Sequence, residues 1–209
     1  MGSRWSRDQL RKGETHMEYN AIYDYRALDL ILDTQDVTVG GGSASAISAA
    51  MAAGLIGMVA RLSTKKDYGL SAEAHLEVAQ RCDALAQGLM QGSLDDMAAF
   101  AMIKAAFGLP KETEEEKQRR AKAISDAAVQ AALTPYENAK KALEVLELGR
   151  KIKNVSNPAA GSDLLIGLQL SEIGVKGCIM NMEANMPLIK DAEMIETLKG
   201  HVIQLNGKL

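Results

Sequence analysis

Aromatic side chains are scarce. They make up 4% of the 209 residues: one Trp, five Tyr and two Phe. Aromatic and β-branched residues suit strands, so a chain poor in aromatics and rich in Ala argues for helices over sheet. Cysteine is nearly absent too. Cys82 and Cys178 are too few for a disulfide framework. They read as small buried hydrophobes in a reducing, cytoplasmic compartment. His75 and His201 stand alone, and Cys82 has no neighbour at ligand spacing, so no metal site is expected. No Ser or Cys nucleophile motif occurs. Basic charge is not in excess: the formal net charge is −3, which leaves no electrostatic footprint for nucleic acid. One uncharged run, residues 43–60, is just long enough to span a membrane. It consists mostly of Ala, Ser and Gly, with few of the large side chains that favour insertion, so no membrane partner is expected.

Apolar residues account for 47% of the chain and charged ones for 24%, enough for a single core of ordinary composition. Residues 1–16, "MGSRWSRDQLRKGETH", show no periodicity and no apolar signal stretch. They read as a cloning-derived or disordered tail, ahead of a single helical domain over residues 17–209. A short helix is predicted from 19 to 32, and a long small-residue helix from 43 to 62. An amphipathic helix from 72 to 91 is followed by Gly92-Ser93 as an interruption, then by a further helix ending at Gly108-Leu109-Pro110. Thr113 and Glu116 form a capping box. Thr134-Pro135-Tyr136-Glu137 reads as a second helix start with Pro at its first position. Long and short helices over 162–185 and 191–202 complete an all-α bundle with long central small-residue helices.

Within the long uncharged segment, Ser45, Ala49, Ala53 and Gly57 recur every four residues, as do Ala46, Ala50 and Gly54. Two stripes of tiny side chains let neighbouring helices approach closely, so this helix is expected to be central and covered on more than one side. The preceding Gly40-Gly41-Gly42-Ser43 has two readings. It is a flexible turn, or it presents free backbone N–H groups at a helix start to an anionic or carbonyl oxygen. It is neither a Walker loop nor a dinucleotide fingerprint, since no Gly-Lys-Ser/Thr follows and no strand precedes. In "GSDLLIGLQLSEIGVKGCIMNMEANM", the residues Asp163, Gly167, Gly174, Cys178, Asn181 and Asn185 share one helix face. Asp163 and Asn181 stand roughly 27 Å apart along an ideal helix, so one chain cannot bring both to one site. An antiparallel two-fold partner can. Otherwise Asp163 favours its helix start and the asparagines form a polar last turn. Asp95 and Asp96 either stabilise a helix start or supply an acid/base or counter-charge, and Phe100 lies one turn beyond Asp96.

Three segments in this order, "GGGSASAISAAMAAGLIGMVARLS", "LDDMAAFAMIKAAFGLPKETEEEKQRRAKA" and "NPAAGSDLLIGLQLSEIGVKGCIMNMEANM", resemble the cyclodeaminase/cyclohydrolase family of folate enzymes. The likeness runs from about Tyr19 to Leu188. Val39 stands where that family commonly has Pro before the glycines. The resemblance implies an all-helical, dimer-forming fold, as a homodimer or higher even oligomer. It implies a reduced folate substrate and no metal or redox cofactor. The reaction expected is methenyltetrahydrofolate cyclohydrolase, 5,10-methenyltetrahydrofolate to 10-formyltetrahydrofolate. The alternatives are formiminotetrahydrofolate cyclodeaminase, which releases ammonia, and a non-catalytic folate-binding scaffold. On that reading Asp96 is the catalytic carboxylate and Asp163 the second candidate. Asn181 and Asn185 hydrogen-bond the pterin, while Gly41, Gly42, Ser43 and Phe100 contact the substrate. Lys65 or Lys66 pairs with the glutamate tail.

Overall fold

A computed structural model describes residues 23–209, and within them every regular element is helical. The predicted tail and the start of the first predicted helix lie outside those residues. The helices are α1 (Arg26–Leu32), α2 (Gly41–Leu62), α3 (Ala72–Phe107), α4 (Glu114–Ile152), α5 (Gly161–Asn185) and α6 (Ala192–Asn206). Helices α2 to α5 form an antiparallel bundle, with α2 packed along both α3 and α5 and α4 closing the other side. As its composition suggests, α2 is long and apolar enough to cross a membrane; 72% of that window is buried inside the protein.

Glycine sets the spacing between α2 and α5. A methyl group added at Gly174 would lie 2.8 Å from the Ala49 Cβ, and one at Gly177 would lie 2.1 Å from the Ser45 Oγ. Near the other end, a methyl at Gly167 or at Gly149 of α4 would strike the fully buried Ile56, at 2.9 and 2.7 Å. One large side chain therefore fills the gap that two missing ones leave. Of the two α2 stripes, Ser45, Ala46, Ala49, Ala50, Ala53 and Gly57 are buried, whereas Gly54 is exposed with open space above it. The second stripe thus turns to the surface after Ala50.

Two of the expected breaks do not occur. α3 runs unbroken through Gly92 and Ser93, so Asp95 and Asp96 sit in mid-helix and not at a helix start. Gly92 is there because Asn138 of α4 lies against it: a Cβ would fall 1.9 Å from Asn138 Oδ1, and Asn138 Nδ2 donates to the Gly92 carbonyl at 3.0 Å. Ser93 bonds back to the Met90 carbonyl and caps nothing. α4 likewise continues through Thr134 and Pro135. Thr134 Oγ1 donates back to the Gln130 carbonyl, and Glu137 pairs with Lys140 without reaching back to a cap. The Thr113–Glu116 capping box forms as expected, with both reciprocal bonds present. α3 and α4 outrun the other helices. Their far ends make a two-helix arm with its own small core, Ala99, Ile103 and Ala106 against Ile124, Ala127 and Ala131.

Candidate functional site

Where the arm leaves the bundle, a cleft of about 260 Å³ opens between the loop before α2, the middle of α3, α4 and the last turns of α5. Gly40, Gly41 and Gly42 form one wall and Asp96 and Phe100 another; Ala131, Asn181, Ala184 and Asn185 close it, with Val37 and Val39 at the loop. Asp96 is the only charged residue among them.

The first turn of α2 shapes the floor. Its Ncap, Gly40, is extended and offers no side-chain cap, which leaves backbone N–H groups at the helix start beside the cleft. Gly42 has no room for a side chain: a Cβ would lie 1.9 Å from Asn181 Nδ2 and 2.3 Å from Asp96 Oδ1. The glycine thereby lets α5 and α3 bring their polar groups together over the helix start. Asn181 Nδ2 donates to Asp96 Oδ1 at 3.0 Å. Ser43 Oγ lies 2.9 Å from Asp96 Oδ2 and 2.8 Å from the Ser93 carbonyl oxygen.

Asp96 is 8% exposed. Burial pushes its carboxyl above the ordinary aspartate range, and the bonds from Ser43 and Asn181 only partly offset this. Ser43 Oγ thus donates to the carboxyl, with the Ser93 carbonyl in reach as a second acceptor for the same proton. The nearby Cys178 thiol is pushed up to about 12, chiefly by burial and then by Asp96, so it stays protonated and is no competing nucleophile.

Phe100, one turn beyond Asp96, is 44% exposed and presents a flat apolar surface at the mouth. Asn185 Nδ2 donates to two carbonyls, Asn181 O and Ala131 O, each at 2.9 Å. Of the residues singled out from sequence, Gly41, Gly42, Asp96, Phe100, Asn181 and Asn185 meet in this cleft, and Ser43 lies beneath it. Asp163, Lys65 and Lys66 do not. Asp163 is in the first turn of α5, at the opposite end from Asn181. The lysines line a separate cavity beyond the C-terminus of α2, roughly 33 Å down that helix. Reading the sequence missed Ser93, Ala131 and Pro135. Ser93 and Pro135 carry a sequence signal, but it is that of a helix interruption and a helix start; Ala131 carries none.

This arrangement defines a class: an all-α bundle with a small-molecule cleft, built at a helix start around one buried carboxyl. Residues 28–204 match the formiminotransferase-cyclodeaminase family, and the chain belongs to it. It is 32% identical over 160 residues to the methenyltetrahydrofolate cyclohydrolase of Methylorubrum extorquens, a match covering 76% of this chain and 77% of that one. Identity to the formimidoyltransferase-cyclodeaminase of Mus musculus is 31% over 157 residues; the match spans 73% of this chain and only 28% of the mouse protein. The crystal structure of formiminotetrahydrofolate cyclodeaminase from Thermotoga maritima superposes with a TM-score of 0.76 over 87% of each chain, at 20% identity. The fold is shared.

Proposed function

We propose that this protein is a methenyltetrahydrofolate cyclohydrolase, converting 5,10-methenyltetrahydrofolate and water to 10-formyltetrahydrofolate and a proton. The observation that carries the reading is a single buried carboxyl, Asp96, at the wall of a cleft without any other charged group. The methenyl bridge is an amidinium-like cation, and its approach favours the carboxylate form of Asp96 beside it. Asp96 then takes one proton from the attacking water as the C–O bond forms. It returns that proton to N5 as the C–N5 bond breaks, while the hydroxyl proton leaves to solvent and the carbonyl of the formyl group forms. Phe100 supplies a stacking surface, and Asn181 and Asn185 suit the amide and amine edge of a pterin. The extent of the match to the Methylorubrum cyclohydrolase, three-quarters of both chains, favours this over the ammonia-releasing reaction. The test is optical. Hydrolysis removes methenyl absorbance; a cyclodeaminase generates it from the formimino substrate; a binding protein changes neither while still binding folate.

The working unit, on this reading, is a cytoplasmic homodimer. α2 exposes a narrow apolar strip, Met51 (52% exposed), Leu55, Met58 and Leu62, with Gly54 open among them. Ile166, Ile173 and Met180 continue it on the adjoining α5. Antiparallel pairing of two α2 helices, centred between Gly54 and Leu55, sets Met51 against the other copy's Met58. It is self-complementary, as a two-fold contact must be. The same register carries the other copy's Lys65 and Lys66 to the level of Ala44 and Ser43, beside a cleft that has no cation for a glutamate tail. Met51→Glu is expected to yield a monomer by light scattering. Lys65→Gln with Lys66→Gln is expected to keep the dimer and raise KM for the folate. A monomeric parent, or an unchanged KM, would count against this assembly.

A further inference from the structure

Pro135 lies inside α4, buried, seventeen residues from the C-terminal end of a 39-residue helix. Proline has no N–H to give, so the carbonyl four residues back, Ala131, loses its helical donor. Such a position is ordinarily unfavourable. Here the orphaned carbonyl is taken by another helix: Asn185 Nδ2 of α5 donates to it at 2.9 Å. The other hydrogen of that amide goes to the Asn181 carbonyl, also at 2.9 Å. Both partners are carbonyl oxygens, so the amide nitrogen, not its oxygen, must face them. Asn185 is left with Oδ1 as its one unspent polar atom. Both Ala131 and Asn185 line the cleft.

We propose that Pro135 is a positioning residue for the cleft: by withholding one backbone N–H from α4 it creates the acceptor that locks the Asn185 amide in a single orientation, with its oxygen reserved for a ligand. With an ordinary residue at 135, the helix's own N–H competes for the Ala131 carbonyl. The Asn185 amide then shares that acceptor, its bond there weakens, and its nitrogen and oxygen exchange places more readily. The ligand group this selects is a donor, an N–H of a heterocyclic amide or amine. An acceptor placed there meets oxygen against oxygen. The assignment of that donor to the pterin edge rests on the folate reading above; the lock itself does not.

Pro135→Ala separates this role from a structural one, because the two predict opposite companions. Removing proline from a helix interior favours the helix, so the variant is expected to melt at or above the parent temperature. Its KM and folate dissociation constant are nevertheless expected to rise about 5- to 10-fold, with kcat changed less, the effect of one loosened hydrogen bond. In an Asn185→Ala background the same substitution is expected to add nothing, since it acts through that side chain. Nitrogen-labelled NMR gives a readout free of ligand: the Asn185 side-chain amide is expected to lose its protection from exchange in Pro135→Ala. Pro135→Ser serves if the alanine variant is insoluble. An unchanged, protected Asn185 amide overturns the lock, as does a full KM effect that persists without Asn185. If the parent binds no folate, the functional reading fails, and the NMR result still decides the lock.

Discussion

Asp96→Asn is expected to give a folded protein that melts higher than the parent at neutral pH and turns over at least about 100-fold more slowly, the usual worth of a general acid–base group. Both halves follow from one side chain. Asn matches Asp in shape: its oxygen can accept from Asn181, and its nitrogen can donate to Ser43 Oγ once that hydroxyl turns its proton from position 96 to the Ser93 carbonyl. It cannot move a proton or balance a cation. The stability change has a definite sign. The folded-state pKa of Asp96 is raised, so between the ordinary aspartate value and that raised one the native protein holds a proton the unfolded chain has lost. Its stabilising contribution is complete below the unfolded pKa and disappears as pH rises through the folded one. Parent and variant should therefore melt alike in acid, near the ordinary aspartate range of about 4, and diverge as pH rises. Melting curves across that range, with methenyl hydrolysis on the same preparations, check both claims. Equal melting at every pH would mean that Asp96 is not held as an acid, and near-normal turnover would remove it from the chemistry.

Gly42→Ala is expected to abolish turnover while leaving most of the bundle intact. The added methyl would occupy the place where the Asn181 nitrogen and the Asp96 carboxyl now sit, at 1.9 and 2.3 Å. Neither is the far end of a long flexible chain, so α2 must back away or the Asp96–Asn181 bond must part. Overpacking of this kind destabilises by about 1–3 kcal/mol, well within what a domain of this size survives. Gly200→Ala in α6 is the matched control, since a Cβ there meets nothing within 4 Å and the residue lies outside the cleft. Circular dichroism, melting and turnover on the pair distinguish crowding of the site from loss of a glycine. Parent-level turnover in Gly42→Ala would place the reaction elsewhere.

Helices, their order and the small-residue faces of α2 and α5 were legible because they rest on local spacing; that the two faces meet was not. Capping at Thr113 was legible for the same reason: both partners lie within four residues. The two misread breaks show where that kind of evidence stops. Gly92-Ser93 and Thr134-Pro135 carry the local chemistry of helix ends, yet each sits opposite a polar side chain of another helix, Asn138 in one case and Asn185 in the other. What looks like a terminus along the chain is a cross-helix hydrogen bond across it. The cleft was half legible. Gly41, Gly42, Asp96, Asn181 and Asn185 stood out as polar or glycine positions beside small-residue faces. That Asp96 is buried against Ser43, and that Asp163 and the two lysines lie far from it, depends on how the helices are laid side by side.

The arm of α3 and α4 has only Ala99, Ile103, Ala106, Ile124, Ala127 and Ala131 for its core, while the body of the bundle is held by some three dozen buried residues. Cooperativity is therefore expected to be uneven along one continuous helix, with the arm opening at lower free energy than the body of the bundle. Asp96 and Phe100 sit on that seam. A ligand gripping both α2 and α3 there fastens the weaker unit to the stronger, so amide exchange should slow out towards Gly108, well past any residue the ligand touches.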